Sequence, residues 1–468
     1  MLTYNLHKRG KKPLYEYLYS CIREDILRGD LKPKEKLPSK RRLAENLNVS
    51  LITVQNAYEQ LILEGYVSSE EKKGYFVADI AGLLPAETPV SPATETTGKN
   101  PEKAATIDLS ASRLSYDHFP FSVWARITRQ TLLEAEHLFT EAPQPQGLWE
   151  LRRAIADHLR EFRGLNVKAD NIIVGAGMEY LYGMIARLLG GSGMIAVEDP
   201  GHTKVTLVYE SCGIRVLHIP VDREGFRIDA LNTDRVSAIH ISPSHQFPTG
   251  VVMPASRRHK ILRRAAEMDA IIIEDDYDSE FRFVGKPIPT LAALDNERVI
   301  YMNTFSKSLS PSVRIAYMVL PERLMGLYAK KLGFYSCTVS GLEQYDLASF
   351  IRGGYYGRHL SRMRNHYRIY RDQILSSIRA SGLMQYANIR EEDAGLHFLL
   401  KFHGRMDDAL FQKALAGEGI RITSVSDYCF QPREEFAHEF LISYSDIRLE
   451  DLQKALSVME HLLGSERF

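Results

Sequence analysis

Two segments of the chain combine residue types that together can hold a cofactor. AIIIEDDYDSEF at 270–281 places Asp275 directly behind an apolar run, and TFSKSLSPSVR at 304–314 presents Lys307 among hydroxyl side chains, with Arg314 seven residues later. A lysine can form a Schiff base, an aspartate can pair with a pyridinium nitrogen, and hydroxyls with an arginine can hold a phosphate. We therefore predict that this set binds pyridoxal phosphate, with Lys307 as the catalytic residue.

Two upstream segments add to this prediction. VGAGMEYL at 174–181 has the pattern of a strand, a turn and a helix start, so the amides of Gly177 and Met178 are expected to be free for a phosphate. EDPGHTK at 198–204 places His202 where an imidazole ring could lie over a cofactor face. Each segment alone is weak evidence, because glycine often serves only to bend the chain.

The elements that must position these residues alternate apolar runs with amphipathic helices. Strands are predicted at 171–174, 194–197, 215–219, 238–241, 270–274, 299–303 and 315–319, with helices at 148–163 and 257–268 among them. This alternation is typical of a parallel sheet covered by helices. After residue 320 the pattern changes to long basic-amphipathic helices over 347–379, and then to strands at 395–402 and 440–445. We expect a large cofactor-binding α/β lobe at 107–320 and a small C-terminal α+β lobe at 321–468.

Residues 1–80 predict a separate unit. Apolar side chains recur at helical spacing over 13–28, Ser39 and Ser50 each precede a short helix, and two β-prone runs follow around Gly74. Three helices and a hairpin make a winged helix-turn-helix. The proline-rich, apolar-poor segment 81–106 is predicted to be a flexible linker.

Polar and basic side chains of this unit could contact double-stranded DNA. In a helix-turn-helix the second helix enters the major groove and its first residues reach base edges. The candidate base readers are Ser50, Thr53, Gln55 and Asn56, and the candidate phosphate contacts are Lys40, Arg41, Arg42, Lys72 and Lys73. Residues 1–78 hold 14 Lys and Arg against 10 Asp and Glu, although the whole chain has no net charge. This basic excess suits a polyanion but is weak evidence alone.

Composition excludes several classes of protein. The 468 residues include four cysteines with no C-x-x-C pair, which argues against a disulfide framework or a metal site. No apolar run approaches the ~20 residues of a membrane helix, and the basic start lacks a signal core. We expect a cytoplasmic protein without a membrane or metal partner.

The segments above resemble known families. PLYEYLYSCIREDILRGDLKPKEKLPSKRRLAENLNVSLITVQNAYEQLILEGYV is similar to the winged helix of GntR-type regulators. PQGLWELRRAIADHLREFRG, IYMNTFSKSLSPSVRIAYMVLP and RHLSRMRNHYRIYRDQI resemble a fold-type I aminotransferase joined to that winged helix, as in MocR/GabR-type transcriptional regulators. The resemblance implies that Lys307 forms the internal aldimine, Asp275 pairs with the pyridine nitrogen, Tyr277 donates to the ring 3′-oxygen, and Arg314 holds the phosphate with help from Thr304. It also implies a homodimer in which each winged helix packs against the partner's large lobe, a domain-swapped arrangement.

The chain departs from these families at several positions. Leu51 replaces the arginine that usually follows the first serine of the recognition helix, Phe247 replaces an asparagine, and His202 replaces a tyrosine. The strand segment FLISYS at 440–445 lacks the arginine that binds a substrate carboxylate in aminotransferases. The nearby cations Lys204, Arg433 and Arg448 are candidate substitutes.

Two functions are consistent with these residues and resemblances. The first is a DNA-binding transcriptional regulator that senses an amine, an amino acid-like or dipeptide-like ligand, or pyridoxal phosphate itself. The alternative is a functional aminotransferase with an attached regulatory domain; a cofactor-free dimerisation scaffold is a third possibility. Because the carboxylate arginine is missing, we expect sensing rather than turnover.

Overall fold

The computed structural model divides into two compact units, residues 1–100 and 101–468. It describes residues 2–4, 6–10, 12–79, 107–110, 118–190, 193–233, 235–283, 288–393, 395–404 and 407–464. The predicted linker, 81–106, lies outside the described residues. Within the described ranges, no helix has the length and apolar character needed to cross a membrane.

The first unit contains three helices and a small antiparallel sheet in the order β1-β3-β2. Its elements are α1 (Leu14–Arg28), β1 (Lys36–Leu37), α2 (Lys40–Leu47), α3 (Leu51–Leu63), β2 (Val67–Glu70) and β3 (Gly74–Val77). Leu18 and Ile22 of α1 are fully buried together with Tyr58 and Leu61 of α3. Because this apolar stripe recurs at helical spacing, it fixes α1 against the helix-turn-helix.

An eight-stranded sheet forms the centre of the second unit, in the order β5-β12-β11-β10-β9-β6-β7-β8. Its strands are β5 (Ile172–Gly175), β6 (Met194–Asp199), β7 (Arg215–Asp222), β8 (Gly225–Phe226), β9 (Val236–Ile241), β10 (Ile271–Asp275), β11 (Val299–Thr304) and β12 (Ala316–Val319). The seven predicted strands are therefore all present. The expectation of a parallel sheet is wrong in one respect, because β12 runs antiparallel to both of its neighbours and β8 runs antiparallel to β7.

Helices cover this sheet and continue into the C-terminal part of the chain. They are α4 (Phe121–Glu134), α5 (Trp149–Arg163), α6 (Met178–Leu189), α7 (Thr203–Ser211), α8 (Ala255–Glu267), α9 (Leu291–Leu294), α10 (Glu322–Leu332), α11 (Gly341–Arg352), α12 (Tyr355–Ala380), α13 (Asp408–Gly417) and α14 (Leu449–Leu463). The helices predicted over 347–379 are present as the second half of α11 and most of α12. The chain breaks at Gly353 and Gly354, and Gly354 has a φ of 67°, a left-handed conformation that glycine adopts without strain.

A second sheet, of four antiparallel strands in the order β13-β14-β17-β16, lies in the C-terminal part. The remaining strands are β4 (Ile107–Asp108), β13 (Ala387–Arg390), β14 (His397–Phe402), β15 (Ile420–Arg421), β16 (Thr423–Ser424) and β17 (Glu439–Ser443). Ile107 packs into the core of this sheet, whereas the core around the large sheet extends to Leu360. Each of the two cores therefore contains residues from both sides of residue 320, and the lobe boundary there stays a prediction.

Candidate functional site

A cavity of about 450 Å³ opens beside the carboxyl ends of the central strands of the large sheet. Parallel strands present their following loops at one edge, which is where ligands bind in α/β folds. Seven of the eight predicted cofactor-binding residues line this cavity: Met178, His202, Asp275, Tyr277, Thr304, Lys307 and Arg314. The structure thus brings together side chains that come from four separate segments of the sequence.

Asp275 ends β10 and is buried, with 6% of its surface exposed. The Tyr182 hydroxyl, from α6, donates to its Oδ2 at 2.5 Å, and His240 Nε2 of β9 lies 3.5 Å from the same oxygen. The other carboxylate oxygen, Oδ1, is buried and has no hydrogen-bond partner among the described residues. A buried acceptor without a partner costs free energy, so Asp275 is suited to a donor such as a protonated ring nitrogen.

Lys307 follows β11 and faces the same cavity. Burial lowers its pKa from the usual 10.5, and the nearby charge of Lys204 lowers the pKa further, while Asp278 opposes the shift. A lowered pKa leaves more of the amine neutral near pH 7, and only the neutral amine attacks an aldehyde. Thr304 supports this loop: its hydroxyl donates to the carbonyl of Ile315 at 3.3 Å and accepts from the Ser306 amide.

Gly177 and Arg314 form the candidate phosphate end of the cavity. Gly177 has a φ of 93°, and a Cβ there would lie 2.7 Å from Nη2 of Arg314. Arg314 donates to Glu179 Oε2 at 3.1 Å, and Lys204 bonds the other oxygen of that carboxylate at 3.3 Å. The sequence predicted a free amide at Gly177, which is wrong, because this amide donates to the carbonyl of Gly175 at 2.9 Å in a tight turn. Met178 begins α6, whose first amides have no partner within the helix.

Arg314 is the one arginine among the described residues that line the cavity. Two of the predicted substitutes for the carboxylate arginine are held elsewhere. Arg433 lies 3.0 Å from Asp199, and the exposed Arg448 bonds Asp451. Lys204 alone of the three lines the cavity, and it is paired with Glu179.

Glu198 lines the cavity and is buried. Burial raises its pKa to about 8, and the nearby Asp275 adds to the increase, although the Ser242 amide donates to it at 3.1 Å. The carboxyl is therefore largely protonated at neutral pH. His202 packs its ring against Phe247, with ring centres 5.4 Å apart, and burial lowers the His202 pKa. Glu198 and His202 thus both favour the neutral form at neutral pH.

The nine candidate DNA-binding residues all lie at the surface of the first unit. Ser50 caps α3 by accepting from the Thr53 amide at 3.1 Å, and the Ser50 and Thr53 hydroxyls are 2.7 Å apart. The side chain of Gln55 donates to Glu59 at 2.8 Å, whereas Asn56 is exposed. Base contacts by these residues stay a prediction.

The basic candidates occupy two places in the same unit. Lys40, Arg41 and Arg42 form the first turn of α2, where Ser39 caps the helix by accepting from the Arg42 amide. Lys72 and Lys73 lie in the turn between β2 and β3, and Lys73 pairs with Glu70 at 3.0 Å. Arg41, Arg42, Lys72 and Lys73 are exposed, as phosphate contacts require, and Lys40 is half-buried.

Comparison with known proteins decides between the classes of function. Residues 104–457 match the aminotransferase class I and II family, and residues 14–77 match the gntR family of bacterial regulatory proteins. The chain is 32% identical to the probable rhizopine catabolism regulatory protein MocR of Rhizobium meliloti, covering 91% of this chain and 89% of that protein. It is 34% identical to the HTH-type pyridoxine biosynthesis transcriptional regulator PdxR of Corynebacterium glutamicum, covering 87% of each. This chain belongs to the MocR-type transcriptional regulators.

Solved structures show the fold of the second unit of this MocR-type regulator. The multiple substrate aminotransferase of Thermococcus profundus superposes with a TM-score of 0.67 at 22% identity, covering 77% of this chain and 91% of that one. LysN, the α-aminoadipate aminotransferase of Thermus thermophilus, superposes with a TM-score of 0.66 at 21% identity, covering 76% and 92%. The second unit therefore has the fold-type I aminotransferase fold.

The cofactor of this MocR-type regulator is pyridoxal phosphate, and the cavity fits it. The unpartnered Oδ1 of Asp275 suits the ring nitrogen, Lys307 with its lowered pKa suits the aldehyde carbon, and the absence of a side chain at Gly177 leaves space beside Arg314. Pyridoxal phosphate accounts for all three features. The individual role of each residue stays a prediction.

Sequence reasoning missed three side chains that support the cofactor residues: Tyr182, His240 and His245. Tyr277 lies 3.3 Å from Nδ1 of His245, and the same nitrogen lies 2.8 Å from Asp278. A signal was present for His240, because a polar residue interrupts the buried apolar strand VSAIHI. The local sequence gives no such signal for Tyr182, since its importance depends on α6 packing beside the end of β10.

Proposed function

We propose that this chain is a cytoplasmic transcription factor that binds operator DNA through residues 1–80 and senses a small molecule through pyridoxal phosphate held at Lys307. The observation that carries the proposal is one cavity in which a half-buried lysine and an unpartnered buried carboxylate oxygen both face the same space. The same chain also carries an exposed recognition helix with basic residues beside it.

Pyridoxal phosphate supplies, when bound, an aldehyde that links reversibly to amines. In this chain the lowered pKa of Lys307 keeps an amine ready for that carbon, and an incoming ligand amine competes with it. Asp275, fixed by Tyr182, holds the proton on the ring nitrogen. Arg314, which lies beside the space at Gly177 and also donates to Glu179, would hold the phosphate.

The cavity walls favour an amine without a carboxylate next to the amino group. Binding such a carboxylate strongly requires a guanidinium that makes two parallel hydrogen bonds, and the described wall provides none besides Arg314, which we assign to phosphate. Phe247, Leu441 and Ser443 offer apolar and hydroxyl contacts instead. A dipeptide-like ligand with a distant carboxylate, or pyridoxal phosphate itself, also satisfies these walls.

We further propose a homodimer that binds two DNA half-sites. Large apolar side chains are exposed on the second unit, including Leu133 at 75%, Phe139 at 59% and Phe334 at 76%. Exposed apolar side chains of this size support a surface that a second copy covers. A ligand can change DNA affinity only by binding two arrangements of the protein with different affinities. A dimer can provide such arrangements by changing how its two winged helices are placed on the two half-sites.

The test uses the full-length protein loaded with pyridoxal phosphate. The preferred duplex is first selected from a random pool, and its Kd is then measured while a panel of amines is added and the cofactor absorption is recorded. We expect one amine class to change both the absorption and the Kd. In Lys307→Met the amine no longer competes with a lysine, so adding the amine should no longer change the Kd. Lys168→Met is the control, because Lys168 is exposed and does not line the cavity, and this variant should respond to the amine as the native chain does.

Two results would count against the proposal. If no duplex is enriched, the DNA-binding function is wrong. If amines shift the Kd equally in the native chain and in Lys307→Met, the sensing site is wrong. Repeated release of a carbonyl product during the titration would instead favour the alternative, a functional aminotransferase.

A further inference from the structure

Two large apolar side chains project from the start of α3 without joining the core of the first unit. Ile52 is 68% exposed and Leu51 is 42% exposed. The core face of this helix is formed by Val54, Ala57 and Leu61, each fully buried. Packing of the unit therefore explains those three residues and leaves Leu51 and Ile52 without a structural reason to be apolar.

Their positions match those of the candidate base readers. Residues four apart lie on the same face of a helix, about 6 Å along its axis, so Ile52 shares a face with Asn56 and Leu51 shares one with Gln55. The Ser50 and Thr53 hydroxyls are bonded to each other. These hydroxyls are therefore engaged with each other, whereas Leu51 and Ile52 are exposed beside them.

The charge around this end suits DNA rather than an acidic or neutral protein. Neither α2 nor α3 has an acidic residue in its first turn. Arg41 and Arg42 are exposed in the first turn of α2, which packs against α3. An apolar pair with nearby arginines is the combination that a major groove accepts, because its walls are phosphates and its floor carries thymine methyl groups.

We propose that Leu51 and Ile52 read the C5-methyl groups of thymines in the major groove, so that each operator half-site carries A·T pairs at the positions they face. Apolar contact with this methyl group distinguishes thymine from cytosine, which lacks it. Since Asn56 lies one turn from Ile52, we expect the adenine it pairs with and the thymine under Ile52 to be about two base pairs apart. This inference rests on the DNA-binding function proposed above.

The test removes one methyl group at a time from the DNA. With the full-length protein and its selected duplex, each thymine is replaced in turn by deoxyuridine, which pairs identically but lacks the methyl. At one or two positions in each half-site we expect about fourfold weaker binding, the equivalent of one buried methyl group. Ile52→Ala and Leu51→Ala should bind the native duplex more weakly and should no longer respond to deoxyuridine at the matching position.

Leu63→Ala is the matched control, because Leu63 is 81% exposed on the same helix but lies about 18 Å further along it. This variant should retain the full response to deoxyuridine. If the native chain selects a duplex yet binds every deoxyuridine version equally well, the proposal is wrong while DNA binding stands. It is also wrong if both alanine variants bind DNA as the native chain does and change only its oligomeric state. If no duplex is selected, DNA binding itself fails and the inference fails with it.

Discussion

Arg433 and Asp199 form an ion pair across 234 residues of sequence, with Nη2 3.0 Å from Oδ2. The aspartate side chain is 1% exposed, and the Phe430 amide donates to its other oxygen at 2.8 Å. A buried carboxylate of this kind needs its cationic partner. Arg433 is therefore part of the structure and is not available to bind the carboxylate of a ligand.

This pairing predicts the response to matched ligands. Amines and the α-amino acids from which they derive by loss of the carboxylate, such as tyramine and tyrosine or histamine and histidine, should be compared by absorption titration. We expect the amine of each pair to bind at least as tightly as the acid, because the acid loses water from its carboxylate without gaining a guanidinium. Consistently tighter binding of the acids would show that another cation replaces the missing arginine.

Gly177→Ala should weaken cofactor binding and destabilise the second unit. The φ of 93° disfavours any residue with a Cβ by about 1–2 kcal/mol, and that Cβ would displace the Arg314 guanidinium 2.7 Å away. Gly326→Ala is the control, since nothing lies within 4 Å of that site on α10, and we expect it to be neutral or slightly stabilising. Thermal unfolding with and without pyridoxal phosphate measures both effects. Equal behaviour of the two variants would contradict a role for Gly177 in the phosphate end of the cavity.

Lys204→Met should move the pH dependence of cofactor attachment upward. The charge of Lys204 helps to lower the pKa of Lys307, so removing it raises that pKa and the neutral amine forms at higher pH. The rate of attachment, followed by absorption, should therefore reach half its maximum at higher pH than in the native chain. Lys168→Met, which removes an exposed lysine paired with Glu322, should leave the profile unchanged. A downward shift in the Lys204 variant would refute the electrostatic explanation.

Arg41→Ala should weaken binding to all DNA sequences alike. Loss of one phosphate contact reduces the slope of log K against log salt by about 0.9. Arg28→Ala is the control, because Arg28 is already neutralised by Asp25 and Asp30. Measurements of Kd at several salt concentrations separate the two. An unchanged slope in Arg41→Ala would exclude a phosphate contact there.

Substitutions at Ser50 separate its capping role from DNA contact. Ser50→Ala removes the cap on α3 and should cost about 1 kcal/mol of stability. Ser50→Asp keeps the cap and suits the helix dipole, yet it places a negative charge where DNA binds. We expect the aspartate variant to be the more stable of the two and the weaker DNA binder. If DNA affinity follows stability in both variants, Ser50 acts only through the fold.

The sequence alone predicted the three helices and the hairpin of the first unit and most strands of the large sheet. Apolar spacing over α1, and serines before α2 and α3, are local patterns, because a helix depends on residues three or four apart and on its cap. Seven of the eight strands of the large sheet were predicted for the same reason. Local patterns failed at β12, whose direction depends on its neighbours in the sheet.

The candidate site likewise combines features that the sequence predicted with contacts that only the tertiary structure shows. The order of Asp275, Lys307 and Arg314 along the chain predicted the cofactor, because chemistry restricts which residue types can hold it. Tertiary structure alone showed that Tyr182 fixes Asp275 across 93 residues and that Arg433 is paired with Asp199. These contacts join side chains that no local rule relates, since their distances are set by how strands and helices pack. Sequence therefore determined which groups the protein carries, and folding decided which of them are left for a ligand.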